Sequence, residues 1–518
     1  MKAVKNIVFG ALLCSAGSIS ADKENCNVCA RTHKLKMKVG GVPETFKEKE
    51  MLQDVIFREY DIRGKVGSEL IIDETYDLAR AIVSYLKQQN PQLKKIAVGM
   101  DGRTHSPAIR DMVAKGIIDS GMDVVFVGTC TTPVIYFTMY NLPVDAGIMI
   151  TASHNPKEYN GIKLMLGKET VWGKRLQEIK SFYKRQQFIT AAQKGSYQEH
   201  LMIDSYVSWL AEHFKHLKGM ELSAVIDCAN GAAGTVMPQL VKAMQWRNVA
   251  LLYPEVDGTY PNHEADPTVE KNMLEVKRLL QTTDVQVGLG LDGDCDRMDP
   301  MTKSGFLVPG DQLLAVFSKK IIETNPGASV VFDIKSSSAL IEVLEKIGAT
   351  PVISPSGHSI IKDQMKKHDA LIGGELSCHF FFHDKYFGYD DGVYAALRLF
   401  EILVESGQTL EQLLTIIPKK FSSPEYRVKC DEEKKYAVVE SVKDVFTHRP
   451  DVQALTIDGI RATMSYGWGL VRVSNTQPAL TIRFESDSSQ GLQHVKKDFY
   501  DALLPFFDGA WLQQQLGM

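Results

Sequence analysis

The sequence predicts an α/β protein of three mixed, mostly parallel-sheet domains of similar topology, followed by a C-terminal α+β domain. Three observations carry this reading. One pattern occurs three times: a β-branched strand ending in aspartate, a loop of small residues, an amphipathic helix, a second strand, and a third strand running into a polar motif. Strands that alternate with helices imply parallel sheets covered on both faces. After about Pro418 the pattern changes to hairpin-like strands. The 518 residues also exceed one ordinary core, since single cores stop growing near ~250–300 residues.

The first copy starts at Ile96-Ala97-Val98-Gly99-Met100-Asp101. Ser106-Pro107 then supplies a helix cap and a first-turn proline, and Gly121 ends the helix before Val124-Val125-Phe126-Val127. Its third strand, Ala146 to Ile150, delivers Thr151-Ala152-Ser153-His154-Asn155-Pro156. The second copy runs from Ala224 to Asp227, through a helix between Val236 and Trp246, to Val285–Leu291, and delivers Asp292-Gly293-Asp294-Cys295-Asp296-Arg297. The third runs from Val330 to Asp333, through a helix from near Ala339 to Ile347, to Gly373-Gly374-Glu375-Leu376-Ser377-Cys378-His379. Ligands of open α/β sheets sit beyond the carboxyl ends of the strands, where all three motifs fall. Strands at 469–473 and 479–484 and a helix from Leu492 to about Phe507 complete the fourth domain.

Hydrophobic residues make up 44%, charged residues 24%, and the net charge is only -4, so the chain has no field suited to a polyanion. Nucleic acid is not an expected partner. The 8 cysteines are scattered and read as reduced thiols; Cys26 and Cys29 form a lone CxxC with no second pair nearby, too few ligands for zinc. The N-terminus points elsewhere. Lys2 and Lys5 precede the apolar run 7–13 and small residues up to Ala21, as in a secretory signal too short to span a membrane. Residues 22–50 are polar and lysine-rich, and Met51 stands just before the first strand-like segment. Either the leader is used, or the chain starts upstream of the working enzyme.

Asp292, Asp294 and Asp296 place carboxylates around one point in a glycine-bearing loop, the oxygen-rich arrangement a hard cation such as Mg²⁺ prefers. The loop is no EF-hand, because Arg297 and Lys303 stand where glycine and glutamate are required. Gly288, Gly290 and Gly293 spell GxGxxG, yet the carboxylates would repel a pyrophosphate. Ser153 follows an apolar strand; an isolated serine there reads first as a cap or turn residue. His154 is not evidently its base, because sequence neighbours tend to point apart. Lys163, past an Asn160-Gly161 turn, is placed to return to the loop. Glu375, Ser377 and His379 alternate, so in extended chain they face one side together and suit sugar hydroxyls, as they would a polar edge face. Arg472, Ser474, Asn475 and Thr476, with Arg483 later, offer the donors that hold phosphate without a metal.

Taken together these residues resemble the α-D-phosphohexomutase superfamily, in its bacterial phosphomannomutase/phosphoglucomutase branch. The resemblance runs from about Val55 to the C-terminal helix and includes Phe57-Arg58-Glu59-Tyr60-Asp61-Ile62-Arg63-Gly64 and the four polar motifs above. It implies four domains around a central cleft: a leader or extension at 1–50, a phosphoserine domain at 51–203, a metal-binding domain at 204–305, a sugar-binding domain at 306–418 and a phosphate-binding domain at 419–518. By the same resemblance, Ser153 carries the phosphate, and a Ser153 oxygen with Asp292, Asp294 and Asp296 binds Mg²⁺. Arg63, Lys163, Arg297, His358 and His379 are catalytic candidates. Tyr60, Lys335, Glu375, Ser377, Arg472, Ser474, Asn475 and Thr476 are substrate-binding candidates. Cys295 and Cys378 stand where the family commonly has small residues such as glycine.

The activity so implied interconverts hexose 1- and 6-phosphates of mannose or glucose through a phosphoserine enzyme, with a hexose 1,6-bisphosphate as intermediate and activator. The intermediate must turn round, which explains a distal clamp that grips the phosphate not reacting. Two other activities fit the motifs less well. A phosphoglucosamine mutase shares most motifs, but Leu376 stands where that branch usually has glutamine; an exported phosphosugar-binding protein leaves three clustered carboxylates unexplained. The expected partners are phosphosugars, with neither nucleic acid nor membrane, and the expected form is a cytoplasmic monomer for which residues before about Met51 are dispensable.

Overall fold

The computed structural model describes residues 51–474 and 478–518. The leader, its CxxC, Asn475 and Thr476 lie outside the described residues. Three α/β sheets and one antiparallel sheet follow one another along the chain. The first has seven strands; its parallel part holds Ala146–Ile150, Lys95–Met100, Asp123–Thr129 and Tyr197–Glu199 side by side. Tyr159–Leu166 then pairs antiparallel with Ala146–Ile150, and Ile62–Lys65 with Tyr159–Leu166. The second sheet sets Val249–Leu252, Ala224–Asp227 and Val287–Leu291 in parallel, with Met298–Met301 antiparallel at one edge. The third repeats this with Thr350–Ser354, Ser329–Asp333 and Ile372–Gly374, closed by antiparallel Phe380–Phe382.

The recurrent device explains where the polar motifs lie. In each sheet the motif loop leaves the carboxyl end of a parallel strand and returns as an antiparallel one, at 151–158, 292–297 and 375–379. Each loop turns through one non-glycine residue in the left-handed region: Ser153 at φ 50°, Cys295 at 63° and Cys378 at 62°. Such residues are uncommon and mark turns held by their surroundings.

Helices cover the sheets where the apolar periodicity falls. Ser106–Asp119 carries Pro107 in its first turn, as expected, but His105 holds the cap position; the Ser106 hydroxyl donates instead to Asp101 at 2.6 Å. Met237–Ala243 and Ser338–Lys346 match the expected helices of the other two copies, the former preceded by a 3₁₀ turn at Ala232–Thr235. One apolar core continues through all three α/β sheets, from Val125 and Ile135 through Leu210 and Leu289 to Phe317 and Tyr394. The C-terminal sheet, entirely antiparallel, packs under Lys435–Thr447 and Ser489–Leu503 around its own core, which includes Val428, Phe446, Phe484 and Phe499. Among the described residues no helix is long and apolar enough to cross a membrane.

Two local expectations change. Asn160 and Gly161 are not a turn but lie inside the strand Tyr159–Leu166, where Gly161 faces Arg63 and a Cβ would meet the Ile62 carbonyl at 2.2 Å. Glu375, Ser377 and His379 do not alternate along a strand; a tight turn, closed by Glu375 N–H to the His379 carbonyl, groups them instead.

Candidate active site

Arg103 builds the serine loop. Its guanidinium is fully buried, pairs with Asp101 at 3.2 Å, and donates to the carbonyls of Ser153, Asn155, Pro156 and Tyr159 at 2.6–3.1 Å. One side chain thus satisfies four carbonyls that the irregular loop would otherwise leave without partners. Held in this way, Ser153 is 2% exposed, and its hydroxyl donates to Asp292 Oδ2 at 2.8 Å. His154 does not point away, as neighbours usually do: its Nδ1 lies 3.1 Å from Ser153 Oγ. Burial, with the nearby Arg297 and Arg63 charges, holds the His154 imidazole well below its ordinary pKa and therefore neutral.

The three aspartates are completely buried, with ligand atoms within 4.8 Å of one another. Lys163 donates to Asp294 Oδ2 at 2.7 Å and Asp296 Oδ2 at 2.5 Å, and Thr132 donates to Asp294 Oδ2 at 2.6 Å. Burial, reinforced by its two like-charged neighbours, pushes Asp292 well above the carboxylate range. At Asp296 the same burial is overcome by Lys163 and His379, which hold it well below. Asp294 Oδ1 has no hydrogen bond, and neither has Asp296 Oδ1, which has His379 Nε2 3.4 Å away. Buried carboxylate oxygens without donors are costly. A hard divalent cation fits them, because it takes oxygen ligands and removes the repulsion.

The third loop meets this cluster. His379 lies between Asp296 and Glu375, whose Oε2 is 3.0 Å from its Nδ1. Burial and Arg297 depress the imidazole, but the two carboxylates outweigh them and push it up to about 9. Arg297 Nε is 3.2 Å from His379 Nε2, a contact that only a neutral ring accepts; with a carboxylate on each side, the protonated ring is the favoured form. Glu375 also accepts the Gly357 N–H at 2.7 Å, and against its burial His379 and Lys335 hold it down to about 2. Ser377 Oγ is 3.2 Å from His379 Nδ1. His358 starts the helix His358–His368 with Nδ1 3.3 Å from Asp390 Oδ2, and burial lowers its pKa despite that carboxylate.

At the far side, Arg472 is 6% exposed and pairs with Asp458 at 2.8 Å, while its Nη2 has no hydrogen-bond partner. Lys335 lies 3.5 Å from Asp333 and 3.6 Å from Glu425. Tyr60 donates to the Ser356 carbonyl at 2.5 Å, and Arg63 to Asn155 Oδ1 at 2.6 Å. Every described candidate outside the aspartate loop, from Tyr60 and Arg63 through Ser153 and Lys163 to Arg472 and Ser474, lines one cleft of about 190 Å³ with a strongly cationic wall. Arg483 is not part of it. Its Nη1 donates to the Lys335 carbonyl at 2.7 Å, so it braces a loop rather than standing beside Arg472.

Several cleft groups had been missed. Arg58 sits in the N-terminal motif without an assigned role, and Glu425 and Arg427 come from just before and within the short strand Tyr426–Lys429, which has no motif. Asp390, which meets both His358 and Lys362, precedes the helix cap Asp391; the acidic pair before a helix was the available signal.

Comparison with known proteins agrees with this geometry. Residues 54–190, 204–305 and 309–421 match the family models described as phosphoglucomutase/phosphomannomutase alpha/beta/alpha domains I, II and III, and residues 425–502 match that family's C-terminal domain. The chain is 38% identical over 454 residues to a phosphomannomutase/phosphoglucomutase of Pseudomonas putida, covering 88% of this chain and 96% of that relative. It is 37% identical over 445 residues to a phosphoglucomutase of Neisseria gonorrhoeae, covering 86% and 95%. A crystal structure of a phosphoglucomutase/phosphomannomutase family protein from Burkholderia thailandensis superposes with a TM-score of 0.81 at 32% identity, covering 88% of this chain and 98% of that one.

Proposed function

The chain belongs to the phosphoglucomutase/phosphomannomutase family, and from that premise we propose that it interconverts hexose 1- and 6-phosphates of glucose, mannose or both through phosphorylated Ser153. The observation that carries the reading is Ser153 Oγ at 2.8 Å from Asp292, beside buried carboxylate oxygens that lack donors, in a cleft whose opposite wall presents Arg472.

Phosphoryl transfer asks for in-line positioning and charge neutralisation more than for covalent chemistry. Asp292, Asp294 and Asp296, with a Ser153 oxygen, are the residues that would hold Mg²⁺, which when bound neutralises charge on the transferring phosphoryl group. Arg63, Lys163 and Arg297 surround the same point with fixed positive charge. As the phosphoryl group moves, its bond to Ser153 Oγ breaks, a bond to a sugar hydroxyl oxygen forms, and that hydroxyl loses a proton. His358 suits the proton's removal: burial lowers its pKa, which favours the neutral ring, and Asp390 Oδ2 stands 3.3 Å from Nδ1. Glu375 and Ser377 are suited to sugar hydroxyls, and Lys335, Arg472 and Ser474 to the phosphate that is not reacting. That clamp serves both directions, because a 1,6-bisphosphate presents the same distal group after turning round; the bisphosphate also restores the phosphoserine when lost. The five described cysteines are buried free thiols, which supports a reducing, cytoplasmic location.

The test is to incubate the protein with glucose 1,6-bisphosphate, locate the phosphate by peptide mass spectrometry, and assay glucose and mannose 1-phosphates. Phosphate on Ser153 and loss of turnover in a folded Ser153→Ala variant are expected. Near wild-type turnover in that variant would remove Ser153 from the mechanism.

A further inference from the structure

A second cavity, larger than the catalytic cleft, lies outside it. It has a volume of about 620 Å³, shares no lining residue with the cleft, and lies where the helix Thr132–Asn141 and the hairpin 165–170 face the helix His358–His368 and the segment 383–389. Its size is within the range of roughly 300–1,000 Å³ typical of small-molecule sites.

Its chemistry is two-sided. One wall is aromatic: the Tyr140 and Phe387 ring centroids are 4.5 Å apart, and Phe387 lies 5.9 Å from Tyr389 at an interplanar angle of 10°. The thioethers of Met165 and Met365 also line it, and sulfur packs well against a flat ring. The rim carries both signs, Lys168, Lys362, Lys366 and His383 with Glu169, Asp363 and Asp369, but not all of its basic groups are matched. Lys168 Nζ lies 4.4 Å from the Tyr140 ring centroid, and among the described residues neither it nor His383 has a carboxylate within ion-pairing distance. Lys366 is paired with Glu169 across the two faces at 2.8 Å. A flat aromatic group with an anionic tail satisfies both sides at once, whereas a sugar phosphate brings no flat π face to stack between the rings.

The cavity is also linked, through two side chains, to His358, the proton acceptor proposed above. Lys362 lines the cavity and donates to Asp390 Oδ1 at 2.9 Å, while the other oxygen of that carboxylate lies 3.3 Å from His358 Nδ1. Lys362 and His358 are one turn apart on one helix. An anion that draws Lys362 into the cavity weakens its hold on Asp390, and with it the orientation of His358.

We infer that this cavity is a second ligand site, for a nucleoside diphosphate or nucleotide of that kind, and that its occupancy lowers turnover through Lys362 and Asp390. The site itself stands on the cavity; only its kinetic consequence rests on the mutase reading above. Binding is therefore measured directly. Calorimetric titration of the full chain with ADP, GDP and UDP, in saturating glucose 1,6-bisphosphate, is expected to give saturable binding of at least one of them. Adenosine and pyrophosphate should each bind at least tenfold more weakly than the best nucleotide. The double variant Lys168→Glu, His383→Glu should lose tenfold or more in nucleotide affinity and keep its basal turnover, since neither residue touches the cleft. In the mutase assay the nucleotide should lower kcat without raising KM. Displacement of the nucleotide by the bisphosphate, affinity unchanged in the double variant, or no binding of any of the three would overturn the site; binding with kcat unchanged would overturn the coupling.

Discussion

Asp294 engages Lys163 and Thr132 through one oxygen and leaves the other without a donor. Replacing it with asparagine removes one charge from a hard-cation site, so metal affinity should fall by at least about 10–100-fold, the loss typical of even outer-shell changes. Direct Mg²⁺ titration reads this, and chelation of the wild type should mimic the loss of turnover; unaltered affinity would exclude Asp294 as a ligand. Gly293, next to it, tests the approach of the two loops. A Cβ there would sit 2.5 Å from the Ser153 carbonyl, a backbone atom that cannot swing away. Gly293→Ala should therefore separate serine from carboxylates, and a displacement of about 1 Å costs on the order of 100-fold in rate. A variant with normal kcat would show that the loops do not need this contact. At this scale the carboxylate spacing was legible, because three acids in one short loop have few other uses. The approach of His154 to Ser153 was not, since it accompanies a left-handed φ of 50° at a non-glycine residue.

Among elements, the thrice-repeated passage from parallel strand through motif loop to antiparallel strand was legible in outline, because a buried parallel strand ending in polar residues is conspicuous in sequence. What holds each loop was not. Arg103 grips carbonyls, and carbonyl acceptors leave no trace in residue identity. The expected group Glu375, Ser377 and His379 was right about convergence and wrong about its cause, since a turn and not alternation brings them together. Arg103→Lys tests the serine loop's support. The charge stays near Asp101, but a point-like ammonium cannot serve four carbonyls as a planar fork does. The expected result is a folded enzyme with kcat reduced by about 100-fold and KM little changed, because the loop carries the Ser153 oxygen proposed to react. Arg103→Ala is the harsher variant: it leaves Asp101 buried and unpaired, at about 3–5 kcal/mol. Wild-type kcat in the lysine variant would make Arg103 a purely structural residue.

Across the whole molecule, the packing is uneven. The three α/β sheets share one continuous apolar core, whereas the C-terminal sheet has its own. The contacts between them are largely polar, with a small apolar patch at Ile334, Trp468 and Leu470. Arg461 is 4% exposed, stacks 3.7 Å from the Trp468 ring centroid, and donates to the Ile334 and Ser336 carbonyls at 2.8 and 2.7 Å. Burial pulls its guanidinium down to about 10, against the nearby Glu485, so the charge persists at neutral pH. The two carbonyls flank Lys335, and Arg483 holds the Lys335 carbonyl itself. The C-terminal domain is thus fastened to the very loop that presents a substrate-binding candidate, and its seating and that lysine's position are one structural variable. Arg461→Ala removes two hydrogen bonds from a charged donor, each worth roughly 1.5–3 kcal/mol, without touching either core. The expected outcome is a rise in KM for both the 1- and 6-phosphates. Hydrogen exchange should show lost protection at the 334–338 loop and the facing strand Ile460–Met464, while Ala146–Ile150 keeps its own. Equal loss of protection in all four sheets would show that the C-terminal domain is not an independently seated unit, and KM raised for one phosphosugar alone would show that Lys335 does not serve a clamp shared by both orientations.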